Sequence, residues 1–129
     1  MAKKSFEHLS RRERQIMDAV YRLGEATAAD VTEQIPSPPS NAAVRRLLAI
    51  LEEKGYLRHR HDGPRYVYSP VEDINDARES AISHLTDTFF RGSTVKAVAA
   101  MLDLSSGDLS DEEISQLQQL IDKAKGEGR

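Results

Sequence analysis

Apolar residues in the first part of the chain recur at helical spacing, and polar cap signals separate the helical segments. Ser10 and Glu13 form a capping-box pattern at the start of a first predicted helix, and Thr27 with Asp30 opens a short second one. Prolines within residues 36–39 stop the second helix, because proline has no backbone N–H and disfavours helix in the residue before it. The apolar face of the first helix consists of Ile16, Met17, Val20 and Leu23.

Residues 41–55 predict a third helix with two different faces. The apolar face consists of Val44, Leu47, Leu48 and Leu51, which follow the i, i+3, i+4, i+7 rule. Arginines and small alanines lie on the other side. This composition suits a DNA major groove, since arginine donates two hydrogen bonds to guanine and short side chains let the backbone come close.

A basic hairpin follows the third helix, with its turn at Asp62-Gly63-Pro64 between residues rich in β-branched and aromatic types. Three helices and a hairpin with short connections predict a winged helix-turn-helix domain, whose third helix enters the groove. Arg58, Arg60 and Arg65 fit contacts to phosphates or the minor groove better than base readout. The predicted DNA-binding residues are Asn41, Ala42, Arg45, Arg46, Ala49, Arg58, Arg60 and Arg65.

After Pro70 the pattern predicts helices only, and we expect this part to be a dimerisation unit. Fewer than 60 residues with an apolar stripe on each helix bury those stripes most readily against a second copy. Ser110 with Glu113 predicts a second capping box. The tail from Lys123 to Arg129, which contains two glycines, is expected to fray. The predicted dimerisation residues are Ile74, Ala81, Leu85, Phe89, Val98, Leu102, Ile114, Leu117 and Ile121.

The predicted fold is therefore mainly α with a small β-hairpin, in two domains. Residues 5–71 form the winged helix-turn-helix domain and residues 72–125 the C-terminal helical dimerisation unit. Charge follows this division, although the net charge of the chain is −3. Residues 1–70 hold 12 Lys and Arg against 9 Asp and Glu, whereas residues 71–129 hold 6 against 12. A basic first half and an acidic second half favour nucleic acid as the partner of the first.

The absence of certain features narrows the classes of function. The chain has no cysteine, which removes disulfides and thiolate chemistry and fits a reducing compartment. No apolar run approaches the ~20 residues of a membrane span, and no signal peptide is visible. We expect a cytoplasmic protein with no membrane insertion and no cofactor.

The order and spacing of several short motifs resemble the penicillinase repressor family. The motifs span nearly the whole chain: Leu9-Ser10-x-x-Glu13, Ile16-Met17, Leu47-Leu48-x-x-Leu51-x-x-Lys54-Gly55-Tyr56, Arg65-Tyr66-x-Tyr68-x-Pro70, Phe90-x-Gly92 and Leu109-Ser110-x-x-Glu113-Ile114. The resemblance implies a homodimeric transcriptional repressor that binds palindromic promoter sites on double-stranded DNA.

The chain departs from the family pattern at functional positions. The family usually carries threonine where this chain has Ala43 and Arg46, so its operator sequence does not transfer. Inducible members are cut by a membrane-linked sensor protease at an Asn-Phe pair in the fifth helix, and this place corresponds here to Ala100-Met101. The copper-sensing branch uses cysteines near the C-terminus, and their absence excludes that branch.

Other interpretations concern a metal site, an active site and two further classes of protein. His59 and His61 share one strand face, but two histidines without a thiolate more often belong to a solvated hairpin than to a metal site. Ser83, His84 and Asp87 suggest a triad, yet Ser83 and His84 point about 100° apart on a helix, so we predict no enzyme. A one-component ligand-sensing regulator and a winged-helix protein-interaction module remain as alternatives to the repressor.

Overall fold

A computed structural model describes residues 8–128, and these fold into six helices and one hairpin. The order of elements is α1 (Arg11–Leu23), α2 (Ala28–Gln34), α3 (Asn41–Glu53), β1 (Leu57–Asp62), β2 (Arg65–Pro70), α4 (Ile74–Phe90), α5 (Thr94–Leu104) and α6 (Asp111–Gly128). The mainly α fold with a small hairpin is thus confirmed. Residues 5–7 of the predicted first domain lie outside the described residues.

The cap signals in the sequence mark helix starts in the structure. The Ser10 hydroxyl accepts from Glu13 N at 3.1 Å, and Glu13 Oε1 accepts from Ser10 N at 2.8 Å, which is a full capping box. Thr27 and Asp30 form the same arrangement at α2. Gly24 ends α1 with a φ of 85°, where its N–H donates to Val20 O.

The core of the first compact unit lies between α1, α2, α3 and the hairpin. Its largest fully buried side chains are Ile16, Met17, Val20, Val31, Val44, Leu48, Leu51 and Leu57. One apolar stripe from each helix contributes to this set, as the 3.6-residue period requires. Burying these stripes together fixes which face of α3 remains outside.

The hairpin is antiparallel and pairs Leu57 with Pro70 at its base and Asp62 with Arg65 at its turn. Directly paired residues point to the same face of a hairpin, and alternate residues on a strand share that face. His59, His61, Tyr66 and Tyr68 therefore share one face, and Arg58 and Arg60 lie on the other. Ala26, just before α2, adds a further bridge to Tyr68, which ties the hairpin to the helices.

A second compact unit begins within α4, between Ile82 and Ser83. The start of α4 belongs to the first unit, where the Tyr21 hydroxyl donates to the Glu72 backbone oxygen at 3.2 Å and Val71 N donates to Tyr56 O. The functional boundary between residues 71 and 72 stays a prediction, because compactness alone does not define a domain that folds independently.

The second unit consists of the end of α4 with α5 and α6. Ser93 caps α5, and Ser110 with Glu113 forms the predicted capping box of α6. The expectation of a frayed tail is wrong up to Gly128, because α6 continues to that residue. Glycine weakens a helix by about 1 kcal/mol without forbidding it, and no proline interrupts this segment. No helix among residues 8–128 is long and apolar enough to cross a membrane.

Candidate nucleic-acid interface

The outward face of α3 is the first part of the candidate interface. The Ser40 hydroxyl accepts from Ala43 N at 3.1 Å and so caps the helix. Because Val44, Leu48 and Leu51 are completely buried, the opposite face points away from the core. The predicted DNA-binding residues of α3 are all exposed: Asn41, Ala42, Arg45, Arg46 and Ala49.

Arg45 and Arg46 are cations on this face that have no partner among the described residues. Within residues 8–128, neither guanidinium makes a hydrogen bond or an ion pair with another residue. Each guanidinium therefore keeps all its N–H donors available for base edges or phosphates. The small neighbours Ala42 and Ala49 leave room beside them.

An open cleft of about 510 Å³ lies between the start of α2, the outward face of α3 and the turn of the hairpin. It brings the predicted residues Arg45, Ala49 and Arg65 together. The other residues lining the cleft are Thr27, Ala28, Ala29, Asp30, Pro64, Tyr66 and Tyr68. Arg58 and Arg60, further from the turn than Arg65, do not line this cleft.

Two arginines of the hairpin are already paired with acids. Arg60 donates to Glu25 at 2.8 Å and Arg65 donates to Asp62 at 2.8 Å, and all four side chains are more than half exposed. The hydrogen bond to Glu25 raises the pKa of Arg60 further, so this side chain stays cationic. Exposed pairs of this kind contribute only about 0–1 kcal/mol, so a phosphate can replace the acid as partner.

Stacked rings connect the hairpin to the end of α3. His59 Nδ1 donates to the Glu52 carboxylate, 2.7 Å from each oxygen, and its ring stacks on Tyr66 with centroids 4.2 Å apart. His61 meets the Tyr66 ring edge to face at 4.7 Å. The expectation that His59 is simply solvated is wrong, since it bridges α3 and the hairpin. In the sequence, Tyr66 stood out only as part of the Arg65-Tyr66-x-Tyr68-x-Pro70 motif, and its place in the cleft was not predicted.

The histidines considered for a metal or catalytic site make other contacts in the described part of the chain. Among residues 8–128, no three His, Cys, Asp or Glu side chains are close enough to hold a metal ion. His84 Nδ1 lies 3.5 Å from Thr88 Oγ1, one turn along α4. This contact orients the imidazole along its own helix.

The predicted dimerisation residues lie uncovered in the single chain. All nine are exposed or half-buried: Ile74, Ala81, Leu85, Phe89, Val98, Leu102, Ile114, Leu117 and Ile121. Ala100 is half-buried and Met101 exposed, and both lie inside the regular helix α5.

The fold and the outward α3 define the class of this protein as a winged-helix DNA-binding regulator. Its family follows from the sequence as a whole. The sequence model of the penicillinase repressor family matches residues 9–123, and the chain belongs to this family. It is accordingly a DNA-binding transcriptional repressor and not an enzyme.

A curated relative agrees with this assignment, and two solved structures share the fold. The penicillinase repressor of Bacillus licheniformis is 26% identical over 124 residues, covering 95% of each chain. A mutant form of ZitR from Lactococcus lactis has a TM-score of 0.51 at 19% identity, over 100% of this chain and 82% of that one. A mutant of MarR from E. coli has a TM-score of 0.50 at 12% identity, over 91% of this chain and 78% of its own. The last two show likeness of fold alone.

Proposed function

We propose that this chain is a cytoplasmic homodimeric repressor that binds palindromic promoter sites through α3 and the hairpin. The observation that carries the proposal is that Arg45 and Arg46, on the outward face of α3, have no partner within residues 8–128. They lie on the helix that borders the cleft. A helix with free guanidinium groups beside a basic hairpin has the composition that DNA recognition requires.

In this proposal α3 lies in the major groove, where Arg45 and Arg46 reach base edges or the flanking phosphates. Arg65 at the turn reaches the DNA backbone beside the groove. Arg60 and Arg65 exchange Glu25 and Asp62 for phosphate oxygens when the protein binds. Both ion pairs are exposed, so this exchange costs little.

The homodimer is supported by the apolar surface of residues 83–128. Ten large apolar side chains are exposed there, including Phe89 at 69%, Val95 at 79% and Leu104 at 86%. Apolar surface of this extent is typical of an interface between protein chains. A two-fold dimer places its two α3 helices on half-sites about one helical turn, or a multiple of it, apart.

Replacing Arg45 and Arg46 by Ala tests the groove assignment. We expect a loss of discrimination between operator and random DNA of about 1–3 kcal/mol for each arginine that reads a base. Arg14→Ala, an exposed cation on α1, is the matched control and should bind like wild type. Fluorescence anisotropy across a salt series measures the DNA affinity of the double variant and of the control. Wild-type affinity of the double variant for its operator would show that α3 does not read the groove.

Release of the operator by proteolysis is the second part of the proposal. By resemblance to the family, we take the cut to fall at Ala100-Met101, within α5. A protease reaches a helix only after it opens locally. Cutting between Lys96 and Asp103 separates the segment containing α4 from the segment containing α6, so we expect operator binding to be lost.

An inserted cleavage site for a specific protease in α5 tests this part. The uncut inserted variant serves as control, because it carries the same insertion in an intact chain. If the completely cut protein keeps the operator affinity of the uncut variant, cleavage here is not an off-switch, and a ligand or partner protein must end repression.

A further inference from the structure

Tyr66 has the properties of a DNA contact that the sequence pattern did not predict. Its side chain is 46% exposed and lines the same cleft as Arg45, Ala49 and Arg65. Within residues 8–128 its hydroxyl makes no hydrogen bond with another residue. A polar group in this position is free to meet whatever occupies the cleft.

The ring of Tyr66 is fixed in place by its neighbours. His59 stacks on it with an interplanar angle of 8°, and His61 packs against it at 83°. His59 covers one ring face, and His61 also packs against the ring, with centroids 4.7 Å apart, so both histidines already occupy ring contacts. The hydroxyl has no partner among residues 8–128, and phosphate oxygens are the acceptors that DNA presents outside its grooves.

The support of Tyr66 starts at the recognition helix itself. Glu52, in the last turn of α3, accepts from His59 Nδ1 at 2.7 Å, and His59 in turn stacks on Tyr66. This chain of contacts ties the orientation of the Tyr66 ring to α3. A rigid side chain that is held before binding loses less conformational entropy when it makes its contact.

We propose that Tyr66 donates a hydrogen bond from its hydroxyl to a phosphate of the operator backbone, with His59 as its positioning residue. The inference rests on the proposed function, since it assigns a further contact to the same interface. Tyr66 is neutral, so its contact adds affinity without releasing counterions. This property distinguishes it from every arginine in the interface.

Tyr66→Phe is the decisive variant, because it keeps the ring and the stack and removes only the hydroxyl. We expect affinity to fall about tenfold, as for the loss of one hydrogen bond to a charged group. The loss should be equal for operator and random duplex DNA, and the slope of log K against log salt should not change. Tyr56→Phe, half-buried against the core and outside the cleft, is the matched control and should bind like wild type.

Each result of this experiment has a distinct meaning. Unchanged affinity of Tyr66→Phe, or a loss confined to operator DNA, overturns the phosphate contact. If wild-type protein itself binds no DNA, the proposed function fails, which is separate from failure of the Tyr66 contact. Thermal unfolding of both variants shows whether the fold is intact.

A double-mutant cycle tests the positioning role of His59. His59→Phe keeps a ring that can stack but loses the bond to Glu52, so Tyr66 should be held less well. The loss caused by His59→Phe should therefore shrink when Tyr66→Phe is already present. Additive losses in the double variant would show that His59 acts independently of Tyr66.

Discussion

The two compact units use apolar residues in opposite ways. Fourteen of the fifteen buried apolar residues among residues 8–128 precede Ser83, and Ala97 is the remaining one. In the second unit, ten large apolar side chains are exposed. The first unit thus has a core of its own, whereas the second presents the surface from which a second copy would remove water. This difference fits the proposed homodimer, in which a second copy would cover the exposed apolar surface of the second unit.

A charge in the exposed apolar surface should produce the largest effect. Ile121 is 63% exposed, so Ile121→Glu should cost the isolated chain little stability. In a dimer, however, the new carboxylate would be buried without a partner. We expect monomers and a loss of operator affinity of about 10²–10⁴, because the two half-sites are no longer linked. Gln119→Glu, on the opposite side of α6, is the control. A dimeric Ile121→Glu protein in sedimentation would contradict this surface as the interface.

Truncation of a leucine should lower the stability of the two units by very different amounts. Leu48 is completely buried, so Leu48→Ala should lower the free energy of unfolding by about 2–5 kcal/mol. Leu104→Ala, at 86% exposure in the second unit, should change it by less than about 0.5 kcal/mol in a monomeric background. Urea denaturation measures both. Equal losses would mean that Leu104 is covered within the single chain.

The two capping boxes that contain glutamate allow a matched comparison of charge. Glu13 is 5% exposed and also accepts from Lys54 Nζ at 2.7 Å, whereas Glu113 is exposed and has no ion pair in the described part of the chain. Glu13→Gln should therefore cost about 1–3 kcal/mol, and Glu113→Gln a few tenths. Comparable losses would make the caps, rather than the ion pair, the source of the effect.

The Glu13 ion pair also predicts a pH dependence. The hydrogen bond from Lys54, followed by that from Ser10 N, lowers the pKa of Glu13 below its ordinary 4.5. A lowered folded pKa contributes stability above pH 4.5 and loses it as the pH falls through the folded value. The difference in free energy of unfolding between wild type and Glu13→Gln should be largest at neutral pH and should shrink below pH 4.5. Urea denaturation over this range checks the sign.

Tyr21 should give the smallest effect, at alkaline pH. Burial, followed by the negative charges of Glu72, Asp73 and Asp76, raises the pKa of Tyr21 from 10.0 to about 12. Its contribution to stability is present below pH 10 and is lost as the pH rises towards 12. Partial exposure screens this contribution. In that range the free energy of unfolding should fall less for Tyr21→Phe than for wild type. An identical pH profile of the two proteins would contradict the shift.

Local signals in the sequence predicted much of the fold. The capping boxes Ser10–Glu13, Thr27–Asp30 and Ser110–Glu113 all form, because each depends on residues three apart in one helix turn. The apolar period of α3 likewise determined which of its sides is outward, since burial of Val44 and Leu48 leaves one answer. The family and its DNA-binding repressor function were visible in the order of the motifs.

Contacts between distant residues were decided only by the tertiary structure. Lys54 meets Glu13 across 41 positions, and Arg60 meets Glu25 across 35. The pattern could place His59 and Tyr66 on strands, but the stack between them and the bond to Glu52 depend on the angle at which the hairpin packs against α3. Spacing along a chain determines which residues share a face, whereas packing of the faces determines which groups meet.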